Sequence, residues 1–167
     1  MLNDRLEQAM VTGKRSGLYG ALMFLDLDNF KPLNDTYGHD AGDLLLIEVA
    51  HRIRNCVREI DTVARFGSDE FIVVLSGLDT TKTESTKQAS IVSEKIRVTL
   101  SKPYMLKIRH NGKADITVEH HCMASIGIAL FIDHEASKED IIKWADITMY
   151  QAKEAGRNHV QFHETKV

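Results

Sequence analysis

Arg65-Phe66-Gly67-Ser68-Asp69-Glu70-Phe71 lies between two short runs of β-branched and aromatic residues, 62–66 and 71–75. Gly67-Ser68-Asp69-Glu70 supplies the turn, so the stretch predicts a β-hairpin with two carboxylates at or beside its tip. Upstream, residues 21–27 are almost all apolar, which predicts a strand buried on both faces near the middle of a sheet. That strand runs into Asp26-Leu27-Asp28-Asn29-Phe30-Lys31. Asp26 and Asp28 are two apart, and in an extended strand that spacing points both side chains to one face. If the hairpin lies beside the strand, its carboxylates and those of the strand converge on one cation. Hard oxygen ligands of this kind, with a lysine next to them, suit a divalent metal that holds a nucleoside triphosphate.

Working outward, residues 2–15 predict a helix with Leu2, Leu6, Ala9 and Met10 on one face. Pro32, Asn34-Asp35 and Gly38 read as breakers, so a loop is expected between the first strand and a helix over 41–58. Asp40 is the expected cap of that helix, and Leu44, Leu45, Ile47, Val49, Ile53 and Val57 are its expected apolar positions. A polar loop over 78–84, the segment expected to be most flexible, leads to an amphipathic helix over 85–100. Strands are expected over 104–109 and 116–131, with Asn111-Gly112 as the turn between them. Ser137, with Asp140 three residues later, caps a helix over 138–155 that Gly156 ends, and a last strand covers 160–162. Helices interleaved with mostly antiparallel strands give an α+β fold, a central sheet with helices packed on it, in one domain over residues 1–167.

Composition narrows the classes of function. Of 167 residues 43% are hydrophobic and 27% charged, ordinary for a globular domain with a substantial core. The net charge of -3 speaks against bulk electrostatic binding of nucleic acid or an anionic membrane, and no apolar run reaches the length of a span. Cys56 and Cys122 fit neither a metal nor a disulfide spacing and read as core filler in a reducing compartment. A cytoplasmic location is expected, with a parent protein free to carry membrane segments of its own.

Taken singly, Asp26 and Asp69 are better explained as turn residues, and it is the two together within the wider pattern that favour a metal. Glu70 can serve a second metal or help deprotonate a hydroxyl, although strand alternation would turn it away from Asp69. Lys153 and Arg157 are four apart and would share a helix face, where a solvated basic terminus is the plain alternative. His39 reads as a hydrogen-bonding residue of the loop.

Six motifs occur in order: Asp26 to Lys31; Asn34-Asp35-Thr36-Tyr37-Gly38-His39; Gly42-Asp43; Gly67 to Phe71; Ser125-Ile126-Gly127-Ile128-Ala129; and Ala145-Asp146 through Met149-Tyr150 and Ala152-Lys153 to Gly156-Arg157-Asn158. Together they resemble the GGDEF family, the diguanylate cyclases that make cyclic di-GMP from two GTP, over about Gly20 to Phe162. The resemblance implies a nucleotidyl-cyclase, palm-like (ferredoxin-like) sheet. It implies Mg²⁺ or Mn²⁺ on Asp26, the Leu27 carbonyl and Asp69, with Glu70 as the third catalytic acid. Asn34 and Asp43 would read the guanine edge, and a pocket with those buried polar groups rejects adenine. Lys31, Lys153 and Arg157 would hold phosphates. Arg58 and Asp61 match the spacing of an Arg-x-x-Asp product-inhibition site, a helix-end ion pair being the alternative.

Two features depart from the family pattern. Ser68 replaces the second glycine of the signature, which costs stability if that position needs φ > 0. The chain also opens directly in the first helix, as an excised or amino-terminally truncated domain would. The wording around Met149 to Lys153 resembles members fused to an EAL phosphodiesterase domain. Three functions follow: a cyclase working as a transient homodimer; a weak or inactive GTP- or cyclic di-GMP-binding domain that regulates a fused EAL or sensor domain; or a polymerase or adenylyl cyclase with a similar sheet, against which Asn34 and Asp43 argue.

Overall fold

The computed structural model describes residues 2–28, 30–109, 114–132 and 135–164. Its five-stranded sheet has β1 (Gly20–Leu27) at the centre, flanked on one side by β3 (Glu70–Leu75) and β2 (Thr62–Arg65), on the other by β6 (Ala124–Phe131) and β7 (Val160–Phe162). All pairings are antiparallel except β6 with β7. The expected α+β architecture is therefore present.

Every residue of β1 is buried, as its apolar run predicts, because helices cover both faces. Ala21, Met23, Leu25 and Leu27 face α2 (Phe30–Tyr37), α3 (His39–Cys56) and α4 (Lys82–Leu100). Leu22 and Phe24 face α1 (Leu2–Ser16) and α5 (Lys138–Glu154), where Leu6, Met10, Ile141 and Met149 complete a second core layer. Asp26 continues that second row, so its carboxylate emerges on the α5 side of the sheet.

The 28–40 segment corrects the expected loop, because α2 occupies most of it. Pro32 is the third residue of α2, where its missing N–H would have had no helical acceptor. Phe30 and Leu33, one turn apart, are buried beneath it. Gly38, with φ of 86°, turns the chain from α2 into α3 and is the N-cap; Asp40 is not, and no side chain caps this end. The buried stripe of α3 is Ala41, Leu45, Val49 and Ile53 with Gly42 and Leu46, whereas Leu44 and Ile47 are exposed. Thr81 accepts from Glu84 N–H and starts α4 inside the expected polar loop. Ser137 accepts from Asp140 N–H at 3.1 Å, the expected cap of α5.

The expected strand over 116–131 is two strands. β5 (Ile116–His120) pairs only with β4 (Tyr104–Ile108), as a separate hairpin, and the chain crosses to the main sheet at 121–123. The Asn111-Gly112 turn lies outside the described residues. Cys122 is buried and its thiol is pushed up to about 11 by desolvation, while Cys56 is half-buried. Among the described residues no helix is long and apolar enough to cross a membrane.

Candidate metal and nucleotide site

Ladder register assembles the acids. Asp26 is the cross-strand partner of Glu70 on β3 and of Ser125 on β6. Leu27 N–H donates to the Asp69 carbonyl at 3.0 Å, which holds the hairpin tip against the end of β1. One carboxylate oxygen each from Asp26, Asp69 and Glu70 lies within 4.8 Å of the others. Glu70 therefore does not turn away. Asp69 precedes the strand, so alternation does not relate the two residues, and facing ladder partners share a side of the sheet. Two contacts stiffen the tip. Arg65 donates to the carbonyls of Gly67 and Ser68 at 3.0 and 3.2 Å. Phe66 packs edge-on against Phe24, with ring centroids 5.3 Å apart.

Asp28 lies just past β1, held there by its N–H to the Met123 carbonyl at 2.8 Å. Lys153 Nζ meets Asp26 Oδ2 at 2.7 Å, and Arg157 Nη1 meets Asp28 Oδ1 at 3.2 Å. The two cations do not reach this row by helical spacing. Lys153 is in the last turn of α5, but Arg157 lies beyond the helix end, after Gly156 with φ of 119°. Arg157 and Asn158 themselves have φ of 63° and 45°. A left-handed arginine costs roughly 1–2 kcal/mol, whereas asparagine tolerates that region better, so the cost falls chiefly on Arg157 and surrounding contacts must hold it.

The site carries more negative charge than its cations neutralise. Burial pushes the Asp26 carboxyl above its ordinary range; the Lys153 hydrogen bond opposes this and the Asp69 charge adds to it. Burial likewise raises Asp28 against the pull of Arg157. Glu70 is raised by burial, then by Asp26 and Asp69. Asp26 Oδ1 and Asp28 Oδ2 are buried without a hydrogen-bond partner. Clustered hard oxygens with an orphaned buried carboxylate oxygen fit a divalent cation such as Mg²⁺ or Mn²⁺.

A pH prediction follows with a definite sign. A carboxylate whose folded pKa is raised binds its proton more tightly folded than unfolded, so stability falls as pH rises from its unfolded value through its folded one. For Asp26, Asp28 and Glu70 that fall begins near their ordinary values of 3.8, 3.8 and 4.5. Metal-free protein should therefore lose melting temperature as pH climbs through and beyond those values, and Mg²⁺ or Mn²⁺ should flatten the trend. Thermal melts in chelator and in metal check this, and equal slopes in the two would refute it.

The expected base-reading residues lie on facing helices. Asn34 on α2 is half-buried with Oδ1 unpartnered, and it fills the space that a side chain at Gly42 on α3 would need. A Cβ on Gly42 would come within 1.9 Å of Asn34 Oδ1. Asp43 is exposed beside a groove of about 490 Å³ that Leu46, Val63 and Phe71 also line. Lys31 is exposed on the first turn of α2 and His39 is exposed at the start of α3.

Arg58 and Asp61 pair with each other. Asp61 is 4% exposed and accepts from Arg58 N, Nε and Nη2 and from Ser76 N. Arg58 Nη2 also donates to the Ser76 carbonyl, yet about half of its side chain remains open to solvent. The helix-end ion pair is thus present, with the arginine as its accessible member.

Ser68 carries no strain penalty, because neither it nor Gly67 has a positive φ. Ser68→Gly is accordingly expected to lower stability, by about 0.4–1 kcal/mol through the freer unfolded chain. Denaturant melts check this, and a gain of that size would mean Ser68 is strained after all. Sequence reasoning missed the Arg65 clamp, and it quoted Ser125 within a motif without placing its buried, unpartnered hydroxyl beside Asp26. Register alone reveals that placement.

Comparison with known proteins completes the picture. A family profile described as "Diguanylate cyclase, GGDEF domain" matches residues 1–159. The bifunctional diguanylate cyclase/cyclic di-GMP phosphodiesterase MucR of Pseudomonas aeruginosa is 41% identical over 167 residues. That alignment covers all of this chain but only 22% of MucR, so the chain spans about a fifth of that relative. The crystal structure of the GGDEF domain of TpbB, also from P. aeruginosa, superposes with a TM-score of 0.82 at 34% identity, covering 99% of this chain and 94% of that one. The GGDEF domain of DgcB from Caulobacter crescentus, solved in complex with cyclic di-GMP, has a TM-score of 0.79 at 30% identity, covering 98% and 89%.

Proposed function

Because the chain belongs to the GGDEF family of diguanylate cyclase domains, we propose that it condenses two GTP into cyclic di-GMP with release of pyrophosphate, at a metal-dependent site shared across a two-fold dimer. The observation that carries this reading is the meeting of Asp26, Asp69 and Glu70 within 4.8 Å at the end of the central strand. Asp26, Asp69 and the Leu27 carbonyl hold the metal, which when bound supplies charge to the phosphates and acidity to the attacking hydroxyl.

The chain's own residues do the rest. Asn34 and Asp43 orient guanine, which fixes where the ribose and α-phosphate fall. Lys153 and Arg157 sit on the same row of acids and exchange carboxylate partners for phosphate oxygens when nucleotide enters. Lys31 meets the same phosphates from the first turn of α2. Glu70, its carboxyl already raised by burial, accepts the proton of the 3′-hydroxyl. The 3′-oxygen then bonds to the α-phosphorus of the GTP on the facing subunit as its α–β bridge breaks and pyrophosphate leaves. Each subunit presents one nucleotide, so the reaction requires two copies. Arg58, steadied by Asp61, is the product-binding arm of the same reading.

The test is to incubate the protein with GTP and Mg²⁺ or Mn²⁺ and to assay cyclic di-GMP by chromatography across a range of protein concentrations. Product that rises with more than the first power of protein supports the dimeric cyclase. GTP bound without product, at concentrations where dimers form, would favour a regulatory domain instead.

Gly42→Ala probes the guanine assignment. The methyl forces Asn34 out of its position, so GTP affinity should fall about tenfold or more, the scale of one buried hydrogen bond left unmade. ATP, which gains nothing from Asn34, should bind as before. Competition titration reads both, and parallel losses for the two nucleotides would count against base reading by Asn34.

A further inference from the structure

Arg97 lies on α4, outside every motif read from the sequence. Its Nη1 donates to Asn158 Oδ1 at 3.1 Å, across 61 positions of chain. Its Nε lies 3.1 and 3.0 Å from the two carboxylate oxygens of Glu94, and its Nη2 is bonded to the same group. The side chain is only 22% exposed, so both contacts fix one rotamer.

Asn158 is the second of two consecutive left-handed non-glycine residues, directly after a third left-handed residue, Gly156. Local bonds at the helix end are modest: Gly156 N–H to the Lys153 carbonyl and Arg157 N–H to the Ala152 carbonyl, each 3.2 Å. Strained backbone persists where surrounding structure over-determines it. Besides the Arg157–Asp28 pair, two ties from outside reach the turn and its exit: Ile126 N–H donates to the His159 carbonyl at 2.9 Å, and the Arg97 guanidinium grips the amide of Asn158 itself. What the turn delivers is Arg157, whose Nη1 reaches Asp28 Oδ1 at 3.2 Å beside the acid cluster.

We propose that Arg97 is a positioning residue: by gripping Asn158 it keeps the turn over 156–158 left-handed, and so keeps the Arg157 guanidinium aimed at the phosphate end of the site. The structural step stands on contacts within the chain. The catalytic consequence rests on the reading of Arg157 as a phosphate ligand.

The experiment uses the full chain with Arg97→Ala, Asn158→Gly and the double variant. Two quantities are read: amide hydrogen exchange at Arg157 without nucleotide, and GTP affinity in Mg²⁺. Arg97→Ala should speed exchange at Arg157 about tenfold or more while α4 and β6 amides stay protected. It should weaken GTP by about tenfold, the loss of one charge-assisted contact. Asn158→Gly enters the left-handed region freely, so adding Arg97→Ala in that background should change little. If Arg97→Ala unfolds, Arg97→Lys replaces it and should show a partial form of both effects.

Unchanged exchange at Arg157, or an equal increment in the Asn158→Gly background, would reduce Arg97 to a helix-surface ion pair. Faster exchange in a protein that binds no GTP would uphold the turn and defeat the nucleotide reading. GTP binding that ignores Arg97→Ala would defeat the positioning role alone.

Discussion

Asp69→Asn is expected to cut cyclic di-GMP synthesis by about 10²–10³-fold or more, the scale of removing one preorganised charge-stabilising group, while leaving the fold intact. The amide keeps the size of the carboxylate and one of its oxygens, and the backbone bond from Leu27 N–H to the residue 69 carbonyl does not depend on the side chain. What disappears is a negative charge that now presses upward on the carboxyls of both Asp26 and Glu70. Removing it relieves repulsion in the metal-free protein, so the variant should melt at the same temperature as the wild type or higher in chelator. It should also lose most of the stabilisation that Mg²⁺ or Mn²⁺ gives the wild type, since one ligand of the cation is gone. This combination of signs separates a functional carboxylate from a structural one. A turn-forming Asp69 would lower the melting point and leave the metal response untouched. Activity within a factor of about three of wild type would defeat the assignment, because no loss of a charged ligand is that mild.

The acids were legible because each sits where local signals are strongest. Asp26 ends an unbroken apolar run, and Asp69 and Glu70 occupy a glycine-containing turn between two β-rich runs. Adjacency of those elements then follows from sheet formation, and register supplies the facing pair Asp26 and Glu70. The misreadings share a different cause: in each, a residue's local preference gave way to its tertiary setting. Pro32 read as a breaker, yet one turn of helix tolerates it while Phe30 and Leu33 find the core. Leu44 and Ile47 read as core, yet the buried stripe passes through Ala41 and Gly42, and at Gly42 Asn34 occupies the space a side chain would need. Ser68 would be strained if its position needed φ > 0, and it does not. Arg157 read as one helical turn from Lys153, although a left-handed turn delivers it. Conversely, the strain at 156–158 marks the end of the helix that bears on the acid row.

Among the described glycines Gly127→Ala should be the most destabilising substitution, lowering stability by about 3 kcal/mol or more, the upper end for overpacking a close contact. Gly127 is on β6 under the middle of α5. A Cβ there would lie 2.2 Å from Met149 N, 2.3 Å from the Ala145 carbonyl oxygen and 2.8 Å from Met149 Cα. All three are backbone atoms, so no side chain can swing aside, and the helix as a whole must lift off the strand. For a domain of this size about 3 kcal/mol corresponds to a fall in melting temperature of roughly 6–12 °C. The consequence reaches the site, because α5 carries Lys153 over Asp26 and leads into the turn that holds Arg157 over Asp28. Lifting the helix draws both cations off the acid row together, so the fraction that remains folded should also bind GTP more weakly. The variant therefore tests whether one close helix–strand approach both supports the second core layer and places the charges proposed to bind phosphate. Melting and GTP titration at a temperature where the variant is still folded read the two effects separately. A melting point within about 2 °C of wild type would mean that α5 can shift at little cost. A large fall with unchanged GTP affinity would mean that Lys153 and Arg157 follow the acids and not the helix.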